Sequence, residues 1–157
     1  MRKLWITLPI LFFGYVGQLE ANSDVHCLAE NIYHEARGES TAGKMAVALV
    51  TLNRVKDKRF PNTVCGVVKQ TKYYPSGRID LHSCQFSWYC DGKSDKPVDK
   101  KCWEDALLIA EVMLTYSSID VTGGALWYHS RKVVPDWSMA YTQTVSIDNH
   151  IFYKDVD

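Results

Sequence analysis

The chain has 157 residues, of which 46% are apolar and 23% are charged, a composition typical of one ordinary globular domain and not of a disordered tail. Lys and Arg together number 18, as do Asp and Glu, so no net charge draws the protein towards nucleic acid or an anionic membrane surface. The sequence shows no basic stripe, Gly-rich phosphate loop or internal repeat, and we therefore expect no nucleic-acid partner.

The N-terminal residues 1–21 differ from the rest of the chain. A short basic start is followed by an apolar run over residues 4–17 and then by a polar break. This order is typical of a secretory signal, and the run is short for a membrane span. We predict cleavage after Ala21, although Leu19 departs from the usual small residue and leaves an uncleaved, transiently membrane-associated anchor open. The remaining residues, 22–157, are predicted to form one exported domain, periplasmic or extracellular.

Cysteine usage agrees with an oxidising compartment, where disulfides form. Cys84 and Cys90 bracket a short segment and could close a tight loop, while Cys27 and Cys65 could join the first helix to the segment after the second. Because five is an odd number, one thiol is left over, and we assign that place to Cys102. The short Cys-x-x-Cys spacings of zinc sites are missing from the sequence.

The first predicted helix covers residues 25–36 and carries apolar side chains every three or four positions. Asp24 is a suitable N-cap, and Gly38 is expected to end the helix. The apolar positions on this helix are Val25, Leu28, Ala29, Ile32 and Ala36.

Two further helices show the same spacing of apolar residues. The second begins after Ser40 or Thr41 as its cap and ends in the charged stretch 56–59. The third covers about residues 101–116 and has Asp99 as its expected cap.

The segment between these helices, residues 66–98, has no sustained period and is predicted to form long loops, with a short helix after Val64. A loop segment of this length in a compact domain is more often functional than idle. Farther along the chain, residues 125–129 and 150–153 are strand candidates that could pair as a small antiparallel ribbon. The sequence therefore predicts a single α+β domain that is mostly helical.

One carboxylate of the first helix is placed beside apolar side chains. On a helix with 100° per residue, Glu35 lies about 20° from Leu28 and about 60° from Ile32. Burial against apolar surface disfavours the charged form of a carboxylate and raises its pKa. A glutamate of this kind can stay protonated near neutral pH and act as a general acid. The alternative is a solvated glutamate at a helix end.

Metal and acyl-transfer chemistry find less support in the sequence. His34 and Glu35 begin a segment like the zinc motif His-Glu-x-x-His, but Gly38 stands where the second histidine is needed. We therefore expect no metal and no other cofactor. A Gly-x-Ser-x-Gly nucleophile motif is missing, and the cysteines are better explained as disulfides than as nucleophiles.

Cleavage of a glycosidic bond fits the residues better. It needs an acid that protonates the leaving oxygen, and usually a second carboxylate as base or nucleophile. Glu35 suits the acid role. Glu39, Asp80 and Asp91 are candidates for the second role, and nothing in their spacing selects one of them. Glu39 has a structural alternative as the partner of a nearby arginine such as Arg37.

Sugar binding favours flat aromatic faces together with amide and hydroxyl groups. The segment 85–89 offers both between two cysteines, and residues 127–129 add a second aromatic group. The side chains that we predict to bind a glycan beside Glu35 are Glu39, Gln85, Phe86, Ser87, Trp88, Tyr128 and His129.

Several stretches of the sequence match a known pattern in its order and over nearly the whole of residues 22–157. The chain resembles the SleB-like cell-wall hydrolase family, which includes spore cortex-lytic enzymes and related bacterial and phage proteins. The most specific pieces are the stretch ending in Glu-Ala-Arg-Gly-Glu, where Glu35 is the first glutamate, and Cys-Gln-Phe-Ser-Trp. The matching stretches are residues 28–39, 47–48, 52–55, 60–68, 84–88, 122–125 and 149–152.

The resemblance implies a lysozyme-like or lytic-transglycosylase-like domain that cleaves the β-1,4 bond between N-acetylmuramic acid and N-acetylglucosamine in peptidoglycan. It assigns the acid role to Glu35. In lytic transglycosylases the muramoyl 6-hydroxyl attacks its own anomeric carbon, which gives a 1,6-anhydro end without a second carboxylate.

We therefore predict a monomeric enzyme that binds peptidoglycan glycan strands and acts by lytic transglycosylation. Three alternatives stay open at this point. They are a hydrolytic muramidase that uses water, a secreted glycan-binding module without catalysis, and a metal-dependent amidase or peptidase.

Overall fold

The computed structural model describes the backbone of residues 13–116 and 118–156 and the side chains from Ser23 onward. Over these residues the chain forms helices and a small antiparallel sheet, as the α+β prediction requires. The helices are α1 (Phe13–Ala36), α2 (Thr41–Lys56), α3 (Val64–Val68) and α4 (Lys100–Tyr116). The strands are β1 (Trp127–Ser130), β2 (Thr142–Ile147) and β3 (His150–Lys154), and 3-10 turns occur at Ser87–Cys90 and Asp136–Ala140.

Helix α1 begins earlier than predicted. Asp24 lies inside the helix and is not its N-cap, because the preceding residues contain no proline and continue the helical hydrogen bonding. Ala21, the predicted cleavage position, also lies within α1, and most of the predicted signal falls in residues 1–12, outside the described residues. None of the helices in the described part combines the length and hydropathy needed to cross a bilayer.

The other helix boundaries follow the sequence signals closely. The hydroxyl of Ser40 accepts a hydrogen bond from the Gly43 backbone and caps α2, and Asp99 accepts one from the Cys102 backbone at the start of α4. The short helix after the second, α3, begins at Val64 as predicted. Each cap satisfies a backbone N–H that has no partner within its helix.

The main core lies between α1 and the three other helices. Leu28 and Ile32 of α1 are fully buried, as their spacing predicts, and Leu49 of α2 joins them. From α4 come Ala110 and Met113. Burial of side chains of this size contributes about 1.5–3 kcal/mol each, so the helical layer provides a rigid support for the end of α1, where Glu35 lies.

The cysteines pair as predicted. The Cys27–Cys65 disulfide joins α1 to α3 across a Cα–Cα distance of 5.2 Å, and the Cys84–Cys90 disulfide closes the loop around the first 3-10 turn across 6.2 Å. Cys102 is free.

The predicted two-stranded ribbon is part of a three-stranded sheet with the order β1-β3-β2. Strands β1 and β3 pair antiparallel as predicted, with Tyr128 opposite Phe152. Strand β2 was missed because its sequence, Thr-Gln-Thr-Val-Ser-Ile, has little apolar character and a bulge after Gln143 interrupts its register. Its turn into β3 uses Asp148 with a positive φ of 48°, a conformation that Asp adopts more readily than most residues.

This turn packs against the corner between α1 and α2. The Asp148 carboxylate accepts hydrogen bonds from the Ser40 backbone at 2.8 Å and from its hydroxyl at 2.6 Å. Gly43 permits the approach, since a Cβ there would lie 2.5 Å from the Asp148 carboxylate. The contact fixes the sheet, and with it Tyr128, beside the end of α1.

Candidate active site

A cavity of about 310 Å³ opens where the end of α1, helix α2, the disulfide-closed loop and strand β1 meet. Its wall combines one carboxylate, one guanidinium, several aromatic rings and small polar groups. The lining residues are Glu35, Arg54, Cys84, Gln85, Phe86, Ser87, Trp127, Tyr128 and Trp137.

Glu35 is partly buried in this wall and accepts a hydrogen bond from the Tyr128 hydroxyl, with 3.1 Å between the Tyr128 oxygen and Oε2. Burial raises the pKa of Glu35 above its ordinary value of 4.5. The Tyr128 hydrogen bond and the nearby charges of Arg54 and His34 act in the opposite direction but do not cancel the effect of burial. The helix geometry thus gives Glu35 the property that the sequence predicts for an acid.

Tyr128 is held as the donor in this pair. Burial and the neighbouring negative charge of Glu35 raise the pKa of Tyr128 well above 10. The phenol therefore keeps its proton at any physiological pH and points it at Glu35. A carboxyl held from one side by such a donor has a defined orientation, which general acid catalysis requires.

Arg54 belongs to the cavity wall, and the sequence reasoning missed it. It is only 3% exposed, and its Nε donates to the Leu126 carbonyl at 2.7 Å. The guanidinium lies between two rings, 5.3 Å from the centroid of Phe86 and 5.4 Å from that of Phe60. Burial lowers the pKa of Arg54 to about 10, so the group stays charged at neutral pH.

The loop closed by Cys84 and Cys90 provides one edge of the cavity. Gln85, Phe86 and Ser87, three of the residues that we predict to bind a glycan, line it together. The Gln85 backbone donates to the Gln70 carbonyl at 2.9 Å, which anchors this loop to the segment after α3.

Aromatic side chains form the opposite edge. Trp127 packs on Tyr141, with 4.2 Å between their ring centroids, and Arg59 lies over the Trp127 ring at 5.4 Å. Trp137, which is 37% exposed, comes from the second 3-10 turn and faces the cavity beside Trp127. The sequence reasoning noted Trp127 only as part of an aromatic group and missed Trp137, since nothing near Trp137 in the sequence points to Glu35.

Two predicted glycan-binding aromatics lie behind the wall and not on it. Trp88 is buried, donates from Nε1 to Asn31 at 3.2 Å and stacks on His34 at 4.4 Å. His129 is buried, contacts the Tyr153 hydroxyl at 2.9 Å and packs edge-on against Trp137 at 5.6 Å. His129 thus supports the wall residue Trp137, while the contacts of Trp88 are with residues outside the wall. The predicted contact of both with a glycan stays a prediction.

The predicted helper carboxylates lie elsewhere. Glu39 accepts hydrogen bonds at 3.1 Å from the backbone and the side chain of Asn149, while Arg37 lies over the Tyr33 ring. Asp80 accepts from the His82 backbone, and Asp91 accepts from the Lys93 backbone. These three carboxylates hold turns and are not among the residues that line the cavity.

The described residues contain no group of three or more His, Cys, Asp or Glu side chains placed to hold a metal ion.

Comparisons with known proteins point to one family. The model of the cell wall hydrolase family matches residues 38–153. The chain is 31% identical over 138 residues to a spore cortex-lytic enzyme of Bacillus cereus and 32% identical over 143 residues to one of Oceanobacillus iheyensis. These alignments cover 85% and 88% of this chain but only 45% and 44% of the relatives. The chain thus spans less than half the length of these curated relatives.

Solved structures show the same fold. The catalytic domain of the Bacillus cereus SleB protein superposes with a TM-score of 0.59 at 30% identity, over 85% of this chain and 91% of that domain. The catalytic domain of the germination-specific lytic transglycosylase SleB from Bacillus anthracis gives a TM-score of 0.55 at 31% identity, over 83% and 93% of the two chains. The predicted lysozyme-like or transglycosylase-like architecture is confirmed at this level.

Proposed function

The chain belongs to the cell wall hydrolase family, and from that premise we propose that it is a peptidoglycan glycosidase with Glu35 as its general acid. The bond cleaved is the β-1,4 linkage between N-acetylmuramic acid and N-acetylglucosamine. The observation that carries the proposal is the environment of Glu35, a carboxyl with a raised pKa at the wall of a cavity rich in aromatic rings.

The chemistry begins with the protonated Glu35. Its O–H bond breaks as the proton bonds to the glycosidic oxygen, and the electron pair of the O–H bond stays on the carboxylate. The bond between that oxygen and the anomeric carbon then breaks, with its electrons leaving on the oxygen. A general acid placed in this way contributes about 10²–10⁴ to the rate.

A second carboxylate for the next step is not supplied by the wall, because Glu35 is the single Asp or Glu among the described residues that line the cavity. Hydrolytic glycosidases usually place a second carboxylate across the bond. An intramolecular nucleophile needs none, since its proximity to the anomeric carbon replaces much of that assistance. This favours attack by the muramoyl 6-hydroxyl, and thus a lytic transglycosylase, over a muramidase that uses water. The hydroxyl oxygen bonds to the anomeric carbon as its O–H bond breaks, and the proton passes to the Glu35 carboxylate, which restores the acid. The activity in the name of the Bacillus anthracis protein agrees with this choice.

Substrate recognition is proposed to use the two edges of the cavity. Gln85 and Ser87 offer amide and hydroxyl groups, and Phe86, Trp127 and Trp137 offer rings to the apolar faces of sugars. Peptidoglycan lies outside the cytoplasm, so the proposal includes export, which the predicted signal in residues 1–21 and the two disulfides support. Monomeric state and transient membrane association stay predictions.

The test is mass spectrometry of the fragments released from purified peptidoglycan. A lytic transglycosylase gives muropeptides with 1,6-anhydro ends, one water lighter than the products of a muramidase. We expect the lighter species from the wild-type protein and fragment release slowed about 10²–10⁴-fold in Glu35→Gln. Products that are heavier by one water would show that the enzyme hydrolyses the bond and is not a lytic transglycosylase. Binding to peptidoglycan without any soluble product would favour the non-catalytic module, and activity that a chelator abolishes would favour the metal-dependent enzyme.

A further inference from the structure

Arg54 places a positive charge in the wall of the active-site cavity, and one nitrogen of its guanidinium is unpaired among the described residues. Its Nη1 is shielded from solvent and has no hydrogen-bond partner among the described residues. An unpaired buried donor costs about 1–3 kcal/mol, and more when it is charged. A purely structural arginine in the same place would gain by pairing this nitrogen or by being replaced with an apolar side chain.

The rest of the guanidinium is fixed in place. Nε is bound to the Leu126 carbonyl, just before strand β1, and the planar group is held between the rings of Phe60 and Phe86. These contacts come from three separate parts of the chain, so they determine both the position and the plane of the guanidinium. The orientation of Nη1 is therefore set before any substrate binds.

The acceptor that suits Nη1 is the Glu35 carboxyl. Both side chains line the same cavity, and the positive charge of Arg54 lowers the pKa of Glu35 against the effect of burial. Tyr128 contacts Glu35 from β1 and also interacts electrostatically with Arg54. The remaining charged neighbour of Glu35 is His34 on α1. Because Nη1 is out of reach of solvent, a protein group in the wall suits it better than a sugar oxygen does.

We propose that Arg54 is a positioning residue for the acid step, and that its free Nη1 binds the carboxylate that Glu35 becomes after giving its proton to the glycosidic oxygen. This inference rests on the proposed function. Proton transfer places one new negative charge in a poorly hydrated wall, where it would be costly without a partner. Because Nη1 has no partner in the described part of the chain, this hydrogen bond forms when the Glu35 carboxylate moves towards the already oriented guanidinium. A donor oriented in advance is the arrangement that makes electrostatic stabilisation effective in enzymes.

Two substitutions separate the charge of Arg54 from its shape. Arg54→Gln removes the charge, and Arg54→Lys keeps it on a side chain of similar length. Arg78 provides matched controls, because it lies over the Tyr74 ring in an exposed loop and is not among the residues that line the active-site cavity. Arg78→Gln and Arg78→Lys should behave like wild type.

The first readout is kcat/KM on purified peptidoglycan as a function of pH. We expect Arg54→Gln to lose about 10- to 100-fold on the acidic side, the worth of a hydrogen bond to a charged group. The deficit should shrink as pH rises, because Glu35 without its cationic neighbour keeps its proton to higher pH. Arg54→Lys should keep the wild-type position of the alkaline limb.

The second readout does not depend on activity. NMR titration of the Glu35 carboxyl carbon should give a higher midpoint in Arg54→Gln than in wild type or Arg54→Lys. If Arg54→Gln does not fold, the same question can be tested by NMR on the wild-type protein. The guanidinium nitrogens of Arg54 should then shift in step with the Glu35 titration, and this shift should vanish in Glu35→Gln.

The inference is overturned if the loss in Arg54→Gln is the same at every pH, or if the Arg54 nitrogens do not respond to Glu35. Failure of the proposed function looks different, because the wild-type protein would then release no glycan fragments while the NMR coupling between the two residues could persist.

Discussion

Two glutamates of one motif, four residues apart, have opposite surroundings. Glu35 sits in the cavity wall with one hydrogen bond, from Tyr128, and a raised pKa. Glu39 lies just past the end of α1, in contact with water, and accepts hydrogen bonds from both the backbone and the side chain of Asn149. A carboxyl with a raised pKa and one partner suits a residue that must release a proton. A half-buried carboxylate with several partners suits one that holds two segments together.

The two regions of the molecule around these residues also differ in how their polar groups are paired. The region of Glu35 keeps unfavourable features, namely a buried carboxyl and the unpaired nitrogen of Arg54. In the region of Glu39 the carboxylates are paired, since Asp148 binds Ser40 and Glu39 binds Asn149. One buried nitrogen there, Nδ1 of His150, has no hydrogen-bond partner among the described residues. Functional sites commonly retain such local costs, and the surrounding fold has to compensate for them.

The largest expected effect is on catalysis, when each glutamate is changed to glutamine in turn. Glu35→Gln should lose about 10²–10⁴ in the rate of fragment release, since it cannot donate a proton. Glu39→Gln should lose less than about tenfold, the range left when an interaction outside the proton-transfer step is weakened. The rate of fragment release from purified peptidoglycan measures both.

Glu111→Gln is a matched control for these variants, because Glu111 is exposed on α4. Thermal melting should show that all three variants fold. If Glu35→Gln retains more than about a tenth of the wild-type rate, the acid assignment is wrong. A loss in Glu39→Gln as large as that in Glu35→Gln would restore Glu39 as the second catalytic carboxylate.

The next prediction concerns stability, which Glu35→Gln should raise although the same change lowers activity. The pKa of Glu35 is raised above 4.5 in the folded state, so the folded protein binds more protons than the unfolded chain above that pH. Its stability therefore falls as pH rises from 4.5 through the raised value. Glu35→Gln lacks this loss and should be more stable than wild type near neutral pH, although it is inactive.

Urea unfolding below pH 4.5 and near neutral pH measures this difference. The advantage of Glu35→Gln should be present near neutral pH and absent in acid. Asp120 and Asp148, whose pKa values are lowered by hydrogen bonds, titrate in the opposite sense, but they do so in both proteins and cancel. A glutamine variant that is less stable than wild type at neutral pH would contradict the burial of Glu35 as a source of instability.

The contrast between the two glutamates could be predicted only in part from sequence. Helical periodicity is local, so the apolar side of α1 and the place of Glu35 beside Leu28 follow from the spacing alone. The hydrogen bond of Glu39 to Asn149 could not be derived, because it depends on strand β2, whose weak alternation hid the hairpin. Arg54 reads as an ordinary charged residue at the end of α2. Its burial arises from Leu126 and Phe86, which are distant in the chain.

Two neighbouring residues that we predict to bind glycan have different surroundings in the structure. Tyr128 and His129 are neighbours on a predicted strand, and successive side chains of a strand point to opposite faces. Alternation alone does not decide which of them lines the cavity, because the strand neighbours Trp127 and Tyr128 both line it and His129 does not. His129 contacts the Tyr153 hydroxyl and packs behind Trp137. Alternation also gives no means to find Trp137, which comes from a turn.

The smallest expected effect lies in the contact between Glu39 and Asn149, and a double-mutant cycle isolates it. Glu39→Ala, Asn149→Ala and the double variant should give a coupling energy of about 0.5–1.5 kcal/mol, the usual net worth of a hydrogen bond, nearer the lower end because the pair is exposed. The Asn149 backbone still donates to Glu39 in Asn149→Ala, so Glu39→Ala should be the more destabilising single change.

Urea unfolding measures the stability of the four proteins of this cycle, and KM on peptidoglycan is measured for the same four. A coupling near zero with a KM raised about tenfold would show that Glu39 binds glycan and does not hold the hairpin, because a turn-holding residue affects stability before it affects substrate affinity.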